Sequence, residues 1–346
     1  MDAEKQVINY PNGDIYIGCL DENGLPDGYG VMEYKDKHGC VLLGKELFFK
    51  EYRGDWKHGV HSGSGRMVFQ KIYEVSVKYS GDWRDGKPDG LGKLTITDKG
   101  KRTCYDGEWK AGLRNGLGKY IKDDDFFLLE EYNGEWVDDK RCGKGERKYT
   151  YNRPYKNCKV ETCSGVWEND RLNGHGVWTS TTGERIECEW VDGLKQGPGT
   201  YTLADGLSVS AVWENNSLLS SGISVLGAPD SMILFIRVGH SGLDYNREAV
   251  VLLPAQVGEY TMDDVFIVEG TKDWRRKQMC ITITDVEDSC VSFIVPSDFV
   301  RGSEPYKGKI TRGERLELGF CIEGNARIYD EDYDYDITAT FIMECN

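Results

Sequence analysis

The chain has 346 residues, with 42 glycines, 12% aromatic residues and a net charge of −15, and its pI lies near 4.9. That balance excludes a nucleic-acid binder that works by counterion release and disfavours broad adhesion to anionic lipid. The acid is unevenly placed, for Ser224 onward holds 12 of the 43 basic and 22 of the 58 acidic residues.

Met1-Asp2-Ala3-Glu4-Lys5 does not lead a basic segment into an apolar core, so the expectation is a chain without a secretory signal. The longest apolar runs, Met232–Ile236 and Ala249–Leu253, are strand-length and far too short to span a bilayer. Eleven cysteines, an odd number without framework spacing, point to a reduced, cytoplasmic protein whose thiols are mostly small apolar side chains. Cys158 and Cys163 make half a metal site at most, since no second pair stands at ligand spacing.

Residues 1–15 read as a lead-in strand, with Val7 and Ile8 running into the Pro11-Asn12-Gly13-Asp14 turn. A template then recurs: an aromatic, Gly two on, Trp four on, Gly seven on, and Gly-x-Gly at eleven and thirteen. Tyr105, Gly107, Trp109, Gly112, Gly116 and Gly118 carry it in full, as do the sets from Tyr52 to Gly65 and from Tyr79 to Gly92. The first three of these positions lie on one face of a strand, because side chains alternate. Lys110-Ala111-Gly112 reads as a tight reversal. Tyr132, Gly134, Trp136, Gly143 and Gly145 match with Asp139 at the turn. Cys163, Gly165, Trp167, Gly174 and Gly176 match with Asp170 there, and Trp190, Gly193, Gly197 and Gly199 form a sixth set. Degenerate copies begin at Tyr16 and at Val209, as the ends of a stacked array require.

The pattern resembles the MORN (membrane occupation and recognition nexus) repeat, from Tyr16 to Gly222. The resemblance implies an elongated, twisted antiparallel sheet in which hairpin stacks on hairpin, and the residues alone give the same all-β reading. About eight repeats fill residues 1–222, with stretched spacing at Gly30–Tyr52, where longer strands or an added hairpin are expected, and at Val68–Val77, Tyr120–Tyr132 and Arg147–Val160. Small residues and Pro229 mark a linker over 223–230. Residues 231–346 hold seven or so short apolar runs, from Ile233–Val238 to Ile337–Met343, which suggest a β-sandwich or small jelly-roll-like domain. Asp273–Lys277 is the best short helical candidate.

No motif for chemistry is complete. MORN arrays accompany SET-domain methyltransferases and lipid kinases, but there is no Asn-His dipeptide and too little chain for a kinase. Gly81 with Gly86-Lys87 comes nearest a P-loop, with Pro88 where a hydroxyl is needed. His58 and His61, three apart, offer the start of a metal site, which a solvated turn explains better. His240-Ser241-Gly242-Leu243-Asp244 places Ser, His and Asp in one loop, whereas nucleophilic triads assemble from separated segments. The run Tyr329–Asp336 offers oxygens to Ca²⁺ or to a basic partner, against a plainer reading as a solvated acidic turn guarding a sheet edge.

The functional expectation is a non-enzymatic scaffold without cofactor or metal. Most ladder rings are expected in the core, with a subset of Tyr52, Trp56, Tyr79, Trp83, Tyr105, Trp109, Tyr132 and Trp136 left in a groove for a protein or peptide segment. The C-terminal domain would serve a second partner or a homodimer. Lipid recognition, and an unrecognised enzyme or metal-dependent activity in the C-terminal domain, are the alternatives.

Overall fold

The computed structural model describes residues 5–71, 74–124, 128–151, 159–203, 206, 208–219, 224–225, 231–240, 243–254, 258–266, 277–287, 290–295, 305–311, 315–328 and 331–343. Over 224–225, 231–254, 260–266, 277–280, 315–328 and 331–343 it gives the backbone alone. Among these residues every regular element is a strand. The chain divides into two compact units, 1–182 with 190–193, and 183–189 with 194–346.

In the first unit, strand β1 (Gln6–Asn9) pairs with β2 (Ile15–Leu20), which pairs with β3 (Pro26–Glu33). The stretched spacing that follows is the expected added hairpin: β4 (Gly39–Leu42) folds onto the start of β5 (Lys45–Lys57), whose later part pairs with β3. Then come β6 (Val60–Phe69), β7 (Ser76–Arg84), β8 (Lys87–Asp98), β9 (Lys101–Lys110), β10 (Leu113–Asp123), β11 (Leu128–Val137), β12 (Lys140–Tyr151), β13 (Lys159–Glu168) and β14 (Arg171–Ser180). Each pairs antiparallel with the next. The reversals that follow the template Trp have two residues, both at positive φ, such as His58-Gly59 (47° and 83°) and Ala111-Gly112 (51° and 89°). That is the type I′ geometry whose twist suits a hairpin.

One repeat shows why the spacing is what it is. Gly81 faces Gly92 across the β7–β8 hairpin, and the ring of Tyr79 lies over the pair. A Cβ on Gly92 would sit 2.5–2.7 Å from the Tyr79 ring carbons, so space rather than backbone angle demands glycine. The Tyr79 hydroxyl donates to the Asp82 carbonyl at 3.1 Å. Trp83 packs edge-on against Tyr79 (5.1 Å) and against Tyr52 of the preceding repeat (5.4 Å). Its Nε1–H donates to the Gly65 carbonyl, also of the preceding repeat. Each Trp thus ties two hairpins together, and the pattern repeats at Trp109 and Trp136, while Trp167 keeps the bond to the preceding repeat and the contact with its tyrosine. Between Gly and Trp stands an acid that turns outward. Asp55, Asp82, Glu108 and Glu135 each accept the N–H of the residue between the paired glycines opposite. A bulge in the second strand makes this possible, for three residues there oppose the single acid; its first glycine, as at Gly90, has φ +112°.

The second unit begins with hairpins of the same kind: β15 (Arg185–Val191) precedes β16 (Leu194–Thr202), and β17 (Ser208–Glu214) pairs with β16 and β18 (Ser217–Leu218). Asn215-Asn216 makes the last reversal, so an eighth hairpin is formed although its turn lacks glycine. Inside the expected linker, β19 (Ser224–Val225) pairs with β17. Most of 220–230 lies outside the described residues.

Beyond it are two four-stranded antiparallel sheets. One holds β20 (Ser231–His240), β21 (Leu243–Pro254), β26 (Arg315–Ile328) and β27 (Glu331–Met343), in the order β21-β20-β27-β26. The other is the meander β22 (Gly258–Phe266), β23 (Lys277–Glu287), β24 (Cys290–Val295) and β25 (Tyr306–Thr311). Ile281, Ile283, Val291, Phe293, Val295 and Ile310 are buried in the second sheet, giving it an apolar face of the kind a two-layer sandwich needs. Strand β25 was not among the expected runs, because Lys-Gly-Lys precedes its one large apolar side chain, Ile310. Of the helical candidate, 273–276 lie outside the described residues and Lys277 begins β23.

Replacing Gly92 by Ala should displace the Tyr79 ring and cost about 1–3 kcal/mol or more. Tyr79→Phe, which loses only the hydroxyl bond, should cost about 1 kcal/mol. Denaturant midpoints of the two variants check the order.

Candidate functional site

The expected groove residues come first. Tyr52, Tyr79 and Tyr132 are 0% exposed, Tyr105 1%, Trp83, Trp109 and Trp136 3%, and Trp56 5%. None of the eight offers area to a partner, and the expectation that some remain open is corrected. Each indole is covered by the tyrosines on either side of it, so the ladder closes on itself. Burial pushes the Tyr16 hydroxyl up to about 12 and raises those of Tyr52, Tyr79, Tyr105 and Tyr132 further, so each stays a hydrogen-bond donor to its carbonyl.

Further along the same face the pattern changes. Strand pairing places Tyr105, Tyr120, Tyr132, Arg147, Cys163 and Trp178 in one row across the sheet. Cys163 stands in the tyrosine place, so Trp167 meets Tyr132 on one side (5.4 Å) and has no ring on the other. Arg147 stands where Tyr120 stands beside Trp136 one repeat earlier, its guanidinium 5.2 Å from the Trp167 ring and 4.6 Å from Tyr149. Arg141 reaches Trp167 too, at 5.2 Å. Tyr120, Arg147, Tyr149, Tyr151 and Trp178 are half-buried, in contrast to the closed ladder before them.

Stacking of the turns follows a rule. At the seven turns that follow a template Trp, the second turn residue donates its N–H to the carbonyl of one residue in the preceding repeat: Gly59 to Pro26, Gly86 to His61, Gly112 to Pro88, Asp139 to Arg114, Asp170 to Arg141, Gly193 to Leu172 and Asn216 to Lys195. Where the donor is Asp or Asn, the acceptor residue is basic. There the turn side chain caps that residue's own N–H: Asp139 to Arg114 (2.9 Å), Asp170 to Arg141 (3.0 Å) and Asn216 to Lys195 (2.7 Å). The same carboxylates hold the guanidiniums, with Arg114 Nε 2.9 Å from Asp139 and Arg141 Nε 3.2 Å from Asp170. Arg114 lies 4.1 Å over the Trp136 ring.

The MORN repeat family model matches residues 22–38, 52–71, 79–101, 105–125, 132–150, 163–185 and 189–208. The chain is a MORN-repeat protein. The seven MORN segments agree with the recurring hairpins, and the eighth hairpin and the C-terminal sheets lie beyond them. No curated protein matches the chain.

The histidine pair of the second MORN repeat is split by its hairpin. His58 is at the turn, its side chain 65% exposed, with Nδ1 3.0 Å from Asp21 and 3.7 Å from Asp27. Ligand atoms of these three residues lie within 4.8 Å of one another. Hydrogen bonds account for each, since Asp21 accepts the Asn23 and Leu25 N–H groups and Asp27 that of His58. The cluster reads as a staple between the first two turns. His61 instead points into the core at 5% exposure, which corrects the solvated reading for this residue. It stacks on Tyr52 at 4.0 Å, edge-on to Trp56 and Trp83 and beside Phe49. Burial drives its pKa down to about 3 and raises that of Tyr34, so a neutral imidazole and a neutral phenol share a hydrogen bond of 2.6 Å.

His38 faces Asp14 at 3.1 Å, and His175 is exposed between Gly174 and Gly176. Cys158, Ser241 and Gly242 lie outside the described residues, and with them the thiol pair and the Ser-His-Asp loop; Cys163 is buried. From Glu331 on, the acidic run is strand. Asp332, Tyr333, Tyr335 and Asp336 are paired in β27 with Arg327, Ala326, Ile322 and Cys321 of β26, and Tyr329 and Asp330 lie outside the described residues. Nor is β27 an edge, since Tyr335 and Asp336 also pair with β20. Paired, extended backbone does not curl oxygens around one ion as a Ca²⁺ loop does.

Two outcomes follow from this geometry. The unfolded chain binds a proton at His61 near the ordinary imidazole value of 6.5, whereas the folded chain does so only near 3. Stability is therefore fully present above pH 6.5 and falls by about 1.4 kcal/mol per pH unit as pH drops from there toward 3. The difference in unfolding free energy between wild type and His61→Gln, followed against pH, should show that slope. Asp139→Gly eases the backbone but strands Arg114, whose side chain is 13% exposed. It should destabilise by about 1–3 kcal/mol by chemical denaturation.

Proposed function

We propose that this MORN-repeat protein is a non-enzymatic scaffold that seats a segment of a partner protein on the ring face of its later repeats. The observation that carries the reading is the change along that face. Closed rings give way, from Arg147 to Trp178, to half-buried aromatic and basic side chains of the kind interface hot spots use. The C-terminal sheets serve a second partner or self-association in this reading. A reducing, cytoplasmic setting suits the seven cysteines whose side chains are described, all of them free.

Lipid recognition is less well supported, because a net charge of −15 repels anionic headgroups. A photo-crosslinking residue placed at Trp178 of the full chain should label a discrete polypeptide in the native cell extract. The same residue at Lys119, on the opposite face of the sheet, should not. Equal labelling from both positions, or salt-sensitive flotation with phosphatidylserine vesicles in place of any labelled polypeptide, overturns the reading.

A further inference from the structure

Arg147 is anomalous in this chain. Its neighbours Arg114 and Arg141 are each matched to acids, Arg114 to Asp139 and Arg141 to both Glu130 (2.9 Å) and Asp170. Arg147 has no ion pair and donates no side-chain hydrogen bond among the described residues, and its Nε is buried without a partner. Leaving a buried donor of a charged group unsatisfied costs free energy that a folded chain usually avoids. Scarcity of acid is not the reason, since the chain carries 58 acidic against 43 basic residues. The two carboxylates in the adjoining row are already engaged. Glu130 holds Arg141 and the Tyr149 hydroxyl, while Glu161 holds Lys159 (2.7 Å) and the Tyr151 hydroxyl (3.4 Å).

The flanks of the guanidinium are apolar. Tyr149 and Trp167 lie against it, Tyr149 and Tyr151 pack at 5.8 Å, and Trp178 is two places along the same row. Part of this is packing, because Arg147 lies against Trp167 as Tyr120 lies against Trp136 one repeat earlier. Packing needs only the aliphatic stem and the flat face of the group. It does not explain why the charge goes unmatched.

We propose that Arg147 is the anchor for a carboxylate on an extended, acidic segment of a partner protein, with Tyr149, Tyr151 and Trp178 taking apolar side chains beside it. This rests on the scaffold reading above and narrows it to one position and one partner chemistry. A guanidinium is preorganised to hold a carboxylate with two parallel N–H bonds, and does so most strongly where water is partly excluded. With the protein net negative, the acidic segment must be drawn by this local site rather than by the general field.

The test uses the full chain and two labelled peptides of about ten residues. In one, Glu alternates with Ser around a central Leu, and in the other Gln replaces Glu. Fluorescence anisotropy should show the Glu peptide binding at least about tenfold tighter than the Gln peptide. Arg147→Met, which keeps the stem on Trp167, should abolish that preference with an unchanged Tm. Arg147→Lys should restore part of it, and Arg53→Met on the opposite face should have no effect. Equal binding of both peptides by wild type, an undiminished preference in Arg147→Met, or capture of phosphatidylserine vesicles with neither peptide bound overturns the proposal. If crosslinking from Trp178 still labels a polypeptide in that case, the scaffold reading survives and the role of Arg147 falls alone.

Discussion

The fold depends on one contact, a tyrosine ring laid flat across two glycines that face each other in neighbouring strands. The opposed glycines bring the backbones to the ring without a side chain between, and the ring becomes the floor on which two tryptophans stand on edge. Each ring removes a large apolar area from water, worth on the order of 2–3 kcal/mol. No single hairpin could realise that burial, because half the cover for each indole comes from the repeat before it. The same device appears in the C-terminal part, where Phe293 lies over Gly308 on the paired strand.

Polar satisfaction is arranged around this contact rather than within it. The tyrosine hydroxyls and most indole N–H groups find main-chain carbonyls, so the core contains rings and almost no side-chain acceptors. Trp56 and Trp190 are exceptions, their Nε1 atoms buried without a partner. Both lie where the pattern is irregular: Trp56 follows the wider first turn, and Trp190 stands in the repeat with Ile186 and Cys188 for the first two template residues. Carboxylates pin bulges and turns chiefly from the outer face, although Asp14 is buried at 4% exposure. In a chain with so much acid, this placement lets many charges remain solvated while each still fixes a piece of backbone.

Much of this was legible beforehand. The spacing of Tyr, Gly and Trp located the hairpins and their turns, because steric demands at Gly92 and its counterparts leave no latitude in sequence, and the stretch after Gly30 left longer strands or an added hairpin open. The fate of the rings was not legible, since alternation tells which face a side chain takes but not how completely its neighbours cover it. His58 and His61 illustrate the limit: three residues apart, one is exposed and the other buried, because His58 belongs to the two-residue turn and His61 to the strand that follows it. The arginine sites left a trace that could have been followed. Asp or Asn in place of Gly at the second turn position coincides with a basic residue at one fixed place in the preceding repeat. Only the paired reading of two repeats exposes it, and a single template hides it.

Two joint types along the array mean that its units are not interchangeable bricks. Excising the unit from Tyr105 to Glu131 would set the carboxylate of Asp139 against Pro88, which has neither an amide hydrogen nor a cation to offer it. Duplication or loss of units in such a lineage is thereby restricted to cuts that reunite like joints, and the order of repeats becomes an inherited character in its own right.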